Sequence, residues 1–281
     1  LMTGVPLMLG VPVVKAAQAL GPFQSVPNKW LAPMVLRHVK TVCARGARTR
    51  EHLDSLGGIN SIDVADLAFS LDEAAAFPDA VATALESIEK NFIVVMPSAV
   101  VRVIYESSGG NYVSAMASLV ADIRHKTGCS VVIAPHSYQA GLPEGRMNDG
   151  PVCREVAEAC SGDSQVLGLD FDLTAGELRH LVAQSSVLVT SRFHAMISGL
   201  ATSTPTVVVG WSHKYKEVLD DFGLSALGLD SSALQEPSAI ADIVTNVLAS
   251  KDEMSQQISA ALPAVKIRSL RNFSAIAEAA R

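Results

Sequence analysis

Short runs rich in valine and isoleucine alternate with segments of helical period along the chain. That alternation constrains the fold more than any other feature, because it predicts parallel sheets with helices packed on their faces. A first series reads as strand 12–19 ending at Gly21-Pro22, helix 28–39, strand 41–45, helix 48–56 closed by Gly57-Gly58, and an extended run 61–69. A second series opens at strand 92–96. The helix after it sets Tyr112, Met116, Leu119, Val120 and Ile123 on one face. Strand 130–135 follows, then helix 149–160 with Asp149 as its N-cap. Strand 165–169 leads to a helix opened by the capping box Thr174-x-x-Glu177. Strand 187–189, helix 193–201, strand 206–209 and helix 214–222 stopped by Gly223 complete the series. From Pro237 onward the chain reads as helical, with Ile240, Ile243, Val244, Val247 and Leu248 in one stripe.

These segments organise into two Rossmann-like layers, the first short, with helices at the end. The expected division is 1–75 for a partial N-terminal domain, 76–90 for a linker, 91–236 for a C-terminal domain and 237–281 for terminal helices. A length of 281 residues agrees, at about 150 residues per domain. The hydrophobic fraction of 49 % excludes a disordered chain. A net charge of −6 argues against nucleic acid as the main partner, since phosphate backbones are bound by clustered Lys and Arg.

The chain begins at Leu1, inside an apolar run. That run lacks a basic n-region and contains Gly4, Pro6, Gly10 and Pro12, so it reads as turn-punctuated core strand rather than as a leader. No segment reaches the ~18 consecutive apolar residues of a membrane span. Cys43, Cys129, Cys153 and Cys160 fit no zinc spacing, and reduced cysteines in a cytoplasmic protein are expected. No metal cluster is visible either.

In open parallel sheets ligands bind outside the carboxyl ends of the strands, so polar residues just after strands carry the functional reading. Ser191, Arg192 and His194 follow one apolar strand and enter the first turn of a helix. Helix N-termini favour anions, and Arg192 adds a planar fork suited to carboxylate or phosphate. His194 at that position is expected to be drawn toward a neutral imidazole that can pass a proton. The next strand ends at Gly210-Trp211-Ser212-His213-Lys214, again at a helix start. Two adjacent strand ends thus offer Arg, His, His and Lys to a small, strongly anionic molecule. His136, beside Ser137 and Tyr138 after strand 130–135, lies at the edge of the same crevice. Gly109-Gly110 lacks the Lys and the Gly spacing of a phosphate loop. Asp66 reads equally as a cap, a contact or a catalytic group, while Trp30 and Tyr112 read as core or rim.

SRFHA followed by an apolar helix, a proline, a strand and GWSHKYKEVLDDFG resembles the polysaccharide pyruvyl transferase family. AQALGPF at 17–23, CARGARTREHLDSLG at 43–57, DLAFSL at 66–71, IAPHSY at 133–138 and NDG at 148–150 support the resemblance. It implies a GT-B-like pair of Rossmann-type domains. The implied activity is transfer of a pyruvyl group from phosphoenolpyruvate to sugar hydroxyls of a glycan or a lipid-linked precursor. Arg192 and His194 match the family's donor-binding and catalytic Arg-x-His. Arg45 matches a donor-binding Arg, and His213 and Lys214 match the GWSHKY segment. Ser191 and His136 are grouped with them as substrate-binding.

The resemblance implies no cofactor beyond phosphoenolpyruvate as donor substrate. Metal independence is expected, because no metal cluster is visible and the site supplies its own positive charge. A cytoplasmic location follows, with peripheral membrane association left open. Two departures stand out. The family's opening Gly-Asp turn has no counterpart, so the chain is expected to enter partway through the N-terminal domain. Gly46 stands where an acid usually follows the matched Arg, and Thr49 stands for a usual Ser. A nucleotide-sugar glycosyltransferase and a non-catalytic anion- or sugar-binding remnant remain as alternatives.

Overall fold

Every strand named in the structure, a computed structural model describing residues 3–74, 76–143, 145–210, 212 and 214–281, pairs in parallel with its neighbours. The chain divides into two units, Leu1–Leu71 with Pro263–Arg281, and Asp72–Leu262.

The first unit opens with helix α1 (Gly4–Met8), strand β1 (Val14–Gln18), helix α2 (Val26–Leu36), strand β2 (Thr41–Arg45), helix α3 (Ala47–Leu56) and strand β3 (Ser61–Val64). The strands stand in the order β1-β2-β3. Residues of β2 alternate between the two faces of the sheet, as a strand's period of two requires. Val42 and Ala44 pack with Leu36, Val39 and Leu53 on one face, while Cys43 packs with Val64 and Ala275 on the other. Asn272 is fully buried and stitches this unit together. Its Oδ1 accepts from the Ala17 amide at 2.8 Å, and its Nδ2 donates to the Ala65 carbonyl at 3.1 Å.

Three expectations need correction here. The opening run is not a core strand. Proline in a first helical turn is tolerated, so Gly4–Met8 coils until Gly10, at φ 72°, turns the chain out. Val5, Met8 and Leu9 are exposed. Trp30 is likewise not in the core, being 72 % exposed on α2. The terminal helices do not stand apart either, because 263–281 belongs to the first unit.

The second unit holds helix α4 (Asp79–Leu85), inside the segment expected as a linker, and then strand β4 (Phe92–Met96). Next come helices α5 (Ala99–Ser107) and α6 (Tyr112–Thr127), strand β5 (Ser130–Ile133), helix α7 (Gly150–Ala159), strand β6 (Val166–Gly168) and helix α8 (Ala175–Gln184). Strand β7 (Val187–Thr190), helix α9 (Phe193–Ala201), strand β8 (Thr206–Gly210), helix α10 (Lys214–Asp220) and strand β9 (Gly228–Asp230) follow. Helix α11 (Pro237–Ala249) comes next, and the last helix, α12 (Lys251–Ala279), runs on into the first unit. The capping box at Thr174 and Glu177 forms as the sequence predicts.

The sheet order is β6-β5-β4-β7-β8-β9. The chain starts at β4, builds outward to β6, then returns to the other side of β4. That reversal between β4 and β7 is the switch point at which sheets of this kind bind ligands. Central strands β4, β5, β7 and β8 are buried along their length. Helix α9 lies close on them: a Cβ at Gly199 would sit 2.1 Å from Thr206 Oγ1 and 3.1 Å from Leu188 Cδ2. Gly199→Ala is therefore expected to lower stability by about 1–3 kcal/mol, read from the denaturant midpoint. An unchanged midpoint would contradict this packing.

Candidate functional site

The switch point is built around one carboxylate. Asp149 begins α7 but gives its helix no side-chain cap. Instead its side chain, fully buried, turns toward the strand ends. Oδ1 accepts from the Ala99 amide at 2.9 Å and from Arg192 Nη2, while Oδ2 accepts from Arg192 Nε at 2.7 Å and from the Ser137 amide at 3.3 Å. Those donors follow β4, β7 and β5, so a single acid ties three neighbouring strand ends together. Bidentate pairing of this kind fixes the plane of the guanidinium as well as its position. Arg192 Nη2 also donates to the Arg146 carbonyl at 2.8 Å.

Asn148, beside it, shapes the loop above. Its Nδ2 donates to the carbonyls of Gln139, Leu142 and Pro143 at 3.2, 2.8 and 3.1 Å, and its Oδ1 accepts from the Gln139 amide at 3.1 Å. With Asn148 buried, the loop that follows His136 is held to the start of α7.

Two tyrosines fix the end of β7. The Tyr215 hydroxyl donates to the Ser191 carbonyl at 3.1 Å, and the buried Tyr112 phenol bonds the Ser191 hydroxyl and accepts from the Ser98 amide at 3.0 Å. Burial raises the Tyr112 phenol well above its ordinary value, so it stays protonated. Ser191 is buried at the end of β7.

Arg192, His194 and His136 come together. Arg192 is the N-cap residue of α9, and its own amide donates to Thr190 Oγ1 at 3.0 Å. The next amides belong to a first helical turn, whose N–H groups have no partner within the helix. His194 is exposed and sits edge-on to the Phe193 ring, with 5.5 Å between centroids. His136 is half-buried, and its pKa falls to about 4, first through burial and then through His194 and Arg192 beside it. Near neutral pH the site thus offers a neutral imidazole at His136, together with the exposed His194 side chain and a guanidinium with one edge engaged.

Lys214 opens α10, half-buried, at the end of the adjacent strand β8. His213 lies outside the described residues. Arg45 belongs to the first unit, at the end of β2, where Nη1 donates to Asp66 Oδ2. Asp66 also caps the turn after β3, accepting from the Ala68 amide at 2.9 Å. Gly46 has φ 83° and ψ 153°, a conformation open to glycine and strained for an acid, which accounts for the residue found there. Thr49 is buried, and its hydroxyl accepts from the Leu20 amide at 3.2 Å.

Asp149 is the N-cap residue of α7, as the sequence predicts, but its carboxylate accepts from Arg192 and from the Ala99 and Ser137 amides rather than from its own helix, a role that the Asn-Asp-Gly motif does not reveal. Among the described residues, no three His, Cys, Asp or Glu side chains gather in a way that could hold a metal ion.

No curated protein matches the chain. Solved structures do. The Staphylococcus aureus MnaA–UDP complex aligns with a TM-score of 0.61 at 13 % identity, over 92 % of this chain and 66 % of that one. A trehalose-phosphate synthase (UDP-forming) from Burkholderia vietnamiensis aligns at 0.57 and 11 %, over 97 % and 70 %. An E. coli protein described as trehalose-6-phosphate bound with UDP-2-fluoro glucose aligns at 0.58 and 11 %, over 96 % and 66 %. This chain spans about two thirds of the length of these proteins. At such identities the likeness establishes the fold, a GT-B-like α/β architecture with parallel sheets. A family model described as polysaccharide pyruvyl transferase matches residues 2–213.

Proposed function

The chain belongs to the polysaccharide pyruvyl transferase family, and from that premise we propose that it moves a pyruvyl group from phosphoenolpyruvate to two hydroxyls of a glycan or glycolipid sugar, forming a ketal and releasing phosphate. The observation that carries this reading is the grouping of Arg192, locked by Asp149, with His136 and His194 at the switch point of the second unit.

Phosphoenolpyruvate carries a carboxylate and a phosphate. The Nη1 edge of Arg192 and the first amides of α9 take one of these anions. Lys214, at the neighbouring strand end, is assigned to the other. His194 gives a proton to the methylene carbon C3 of the donor, while the first sugar oxygen bonds to C2 and returns its proton to the imidazole. The bond from C2 to the phosphate oxygen then breaks, and the second hydroxyl captures the cationic carbon. Its proton leaves with phosphate, so the sum is donor plus diol giving ketal plus phosphate. Neutral His136 supplies a hydrogen bond to the donor without adding repulsion between cations.

Arg45, whose Nη1 donates to Asp66, belongs to the first unit and is given no step in the proposal. Every charge the steps require comes from the chain, so turnover is expected to survive a chelator. Phosphoenolpyruvate is a cytoplasmic metabolite, which assigns the reaction to that compartment.

Calorimetry tests the donor. Phosphoenolpyruvate is expected to give binding heat that Arg192→Ala removes, while UDP-sugars give none. Binding of a UDP-sugar with no response to phosphoenolpyruvate would overturn the reading in favour of glycosyl transfer.

A further inference from the structure

The ends of β5 and β6, on the other side of β4 from Arg192, carry a second polar cluster that the proposed steps do not use. Tyr138 stands two residues after His136 and is held from both sides. The Ser137 hydroxyl donates to the Met147 carbonyl at 2.7 Å, and the Ser137 carbonyl accepts from the Asp149 amide at 2.7 Å. The Gln139 amide donates to Asn148 Oδ1 at 3.1 Å. The Tyr138 ring lies against Gly150, where an added Cβ would come within 2.8 Å of it, so glycine there is what lets a half-buried aromatic ring cover the start of α7. Its hydroxyl pairs with the carboxylate of Asp170, which accepts from Arg154 Nη1 at 2.9 Å. Burial, and then Asp170, raise the phenol above its ordinary value, so it keeps its proton and donates. A cavity of about 120 Å³ opens beside the pair. Buried Ile133, Cys153 and Leu169 form its floor, while the exposed Arg154 and Asp170 stand at its mouth.

We propose that this cluster holds the acceptor glycan, with Tyr138 and Asp170 bonding sugar hydroxyls and the cavity receiving a substituent of the ring. The identity of the acceptor rests on the reading of the reaction as pyruvyl transfer. Charge selects a neutral polyol here. At the ends of β7 and β8, Arg192, His194 and Lys214 suit an anion. At the end of β6, Asp170 and Asp172 are both exposed, and both act on the Tyr138 hydroxyl against the single cation Arg154. A phosphate or carboxylate is repelled by such a pair of acids, whereas sugar hydroxyls donate to a carboxylate in strong, charge-assisted bonds. A concave site with an apolar floor and a few placed polar groups is the form that small-ligand sites take. His136 joins the two halves, since it lies beside Arg192 and His194 and two residues before Tyr138, so a sugar seated on Tyr138 is brought toward the donor.

Steady-state kinetics of the full chain test this, with phosphoenolpyruvate as donor and methyl and octyl glycosides of glucose, galactose and mannose as acceptors. Asp170→Ala is expected to raise the acceptor KM about 10–100-fold, the worth of a hydrogen bond to a charged group, while kcat at saturating acceptor is kept. Tyr138→Phe is expected to raise it about 2–10-fold, the worth of a neutral bond. Asp170→Glu should recover part of the loss. The heat of phosphoenolpyruvate binding and the thermal midpoint are expected to stay at wild-type values throughout, since Asp170 is exposed and Tyr138→Phe keeps the ring. An unchanged acceptor KM in Asp170→Ala, or donor binding weakened in the same proportion, overturns the assignment and leaves pyruvyl transfer standing. No ketal from the wild-type chain with any of these acceptors overturns the reading of the reaction, and the assignment with it.

Discussion

Asp149→Ala is expected to destabilise the protein by about 3 kcal/mol, because it leaves the half-buried guanidinium of Arg192 without its counter-charge. The same change removes the acceptor for the Ala99 and Ser137 amides, so the loops after β4 and β5 lose their common anchor with the end of β7. Ketal formation is expected to fall at least ~100-fold, since a displacement of about an ångström at a positioning group has that effect. Asp149→Asn separates charge from shape. It keeps the volume but turns an amide against donors, and is expected to lose activity with a smaller drop in thermal midpoint. Pairing Asp149→Ala with Arg192→Ala should cost less than the two single changes summed, because the double variant buries no unpaired ion. An Asp149→Ala protein with normal midpoint and normal turnover would refute this account of the site.

His194→Ala is expected to behave in the opposite way. The side chain is exposed, so the thermal midpoint should hold, while turnover falls by about 10²–10⁴ through loss of the proton shuttle. Near-normal turnover would remove His194 from the chemistry. His136 differs again. Its folded pKa, about 4, lies below the ordinary value of 6.5. The unfolded chain therefore binds more protons between those pH values, and stability is present above pH 6.5 and lost as pH falls toward 4. His136→Gln should flatten that part of the stability profile. An unchanged profile would mean that the ring is not shielded from solvent as described.

These variants act on features that the sequence showed unevenly. The apolar runs gave the central strands of the second unit because β4, β5, β7 and β8 are buried along their length. Thr174 and Glu177 close their capping box within four residues, a distance that local reading covers. Arg192 and His194 were legible from their place after an apolar strand. Asp149 was not, because its partner lies 43 positions away and only the sheet order brings the two together. Helix α5 was missed, since the apolar residues of β4 run into it with only Pro97 and Ser98 between. Strand β9 spans three residues and leaves no pattern to read. The opening run was misread because apolarity alone does not say what a segment packs against, and Val5, Met8 and Leu9 face solvent.

The central claim is that this chain carries pyruvyl transfer at the switch point of its second unit. One measurement tests it most directly: incubation with phosphoenolpyruvate and a panel of sugar and glycolipid diols, with phosphate release and carbon NMR of the product followed together. The account predicts equal amounts of phosphate and of a ketal bearing a carboxylate and a methyl group, both lost in His194→Ala and Arg192→Ala. Phosphate released without an acceptor, or a ketal formed equally well by either variant, would contradict it.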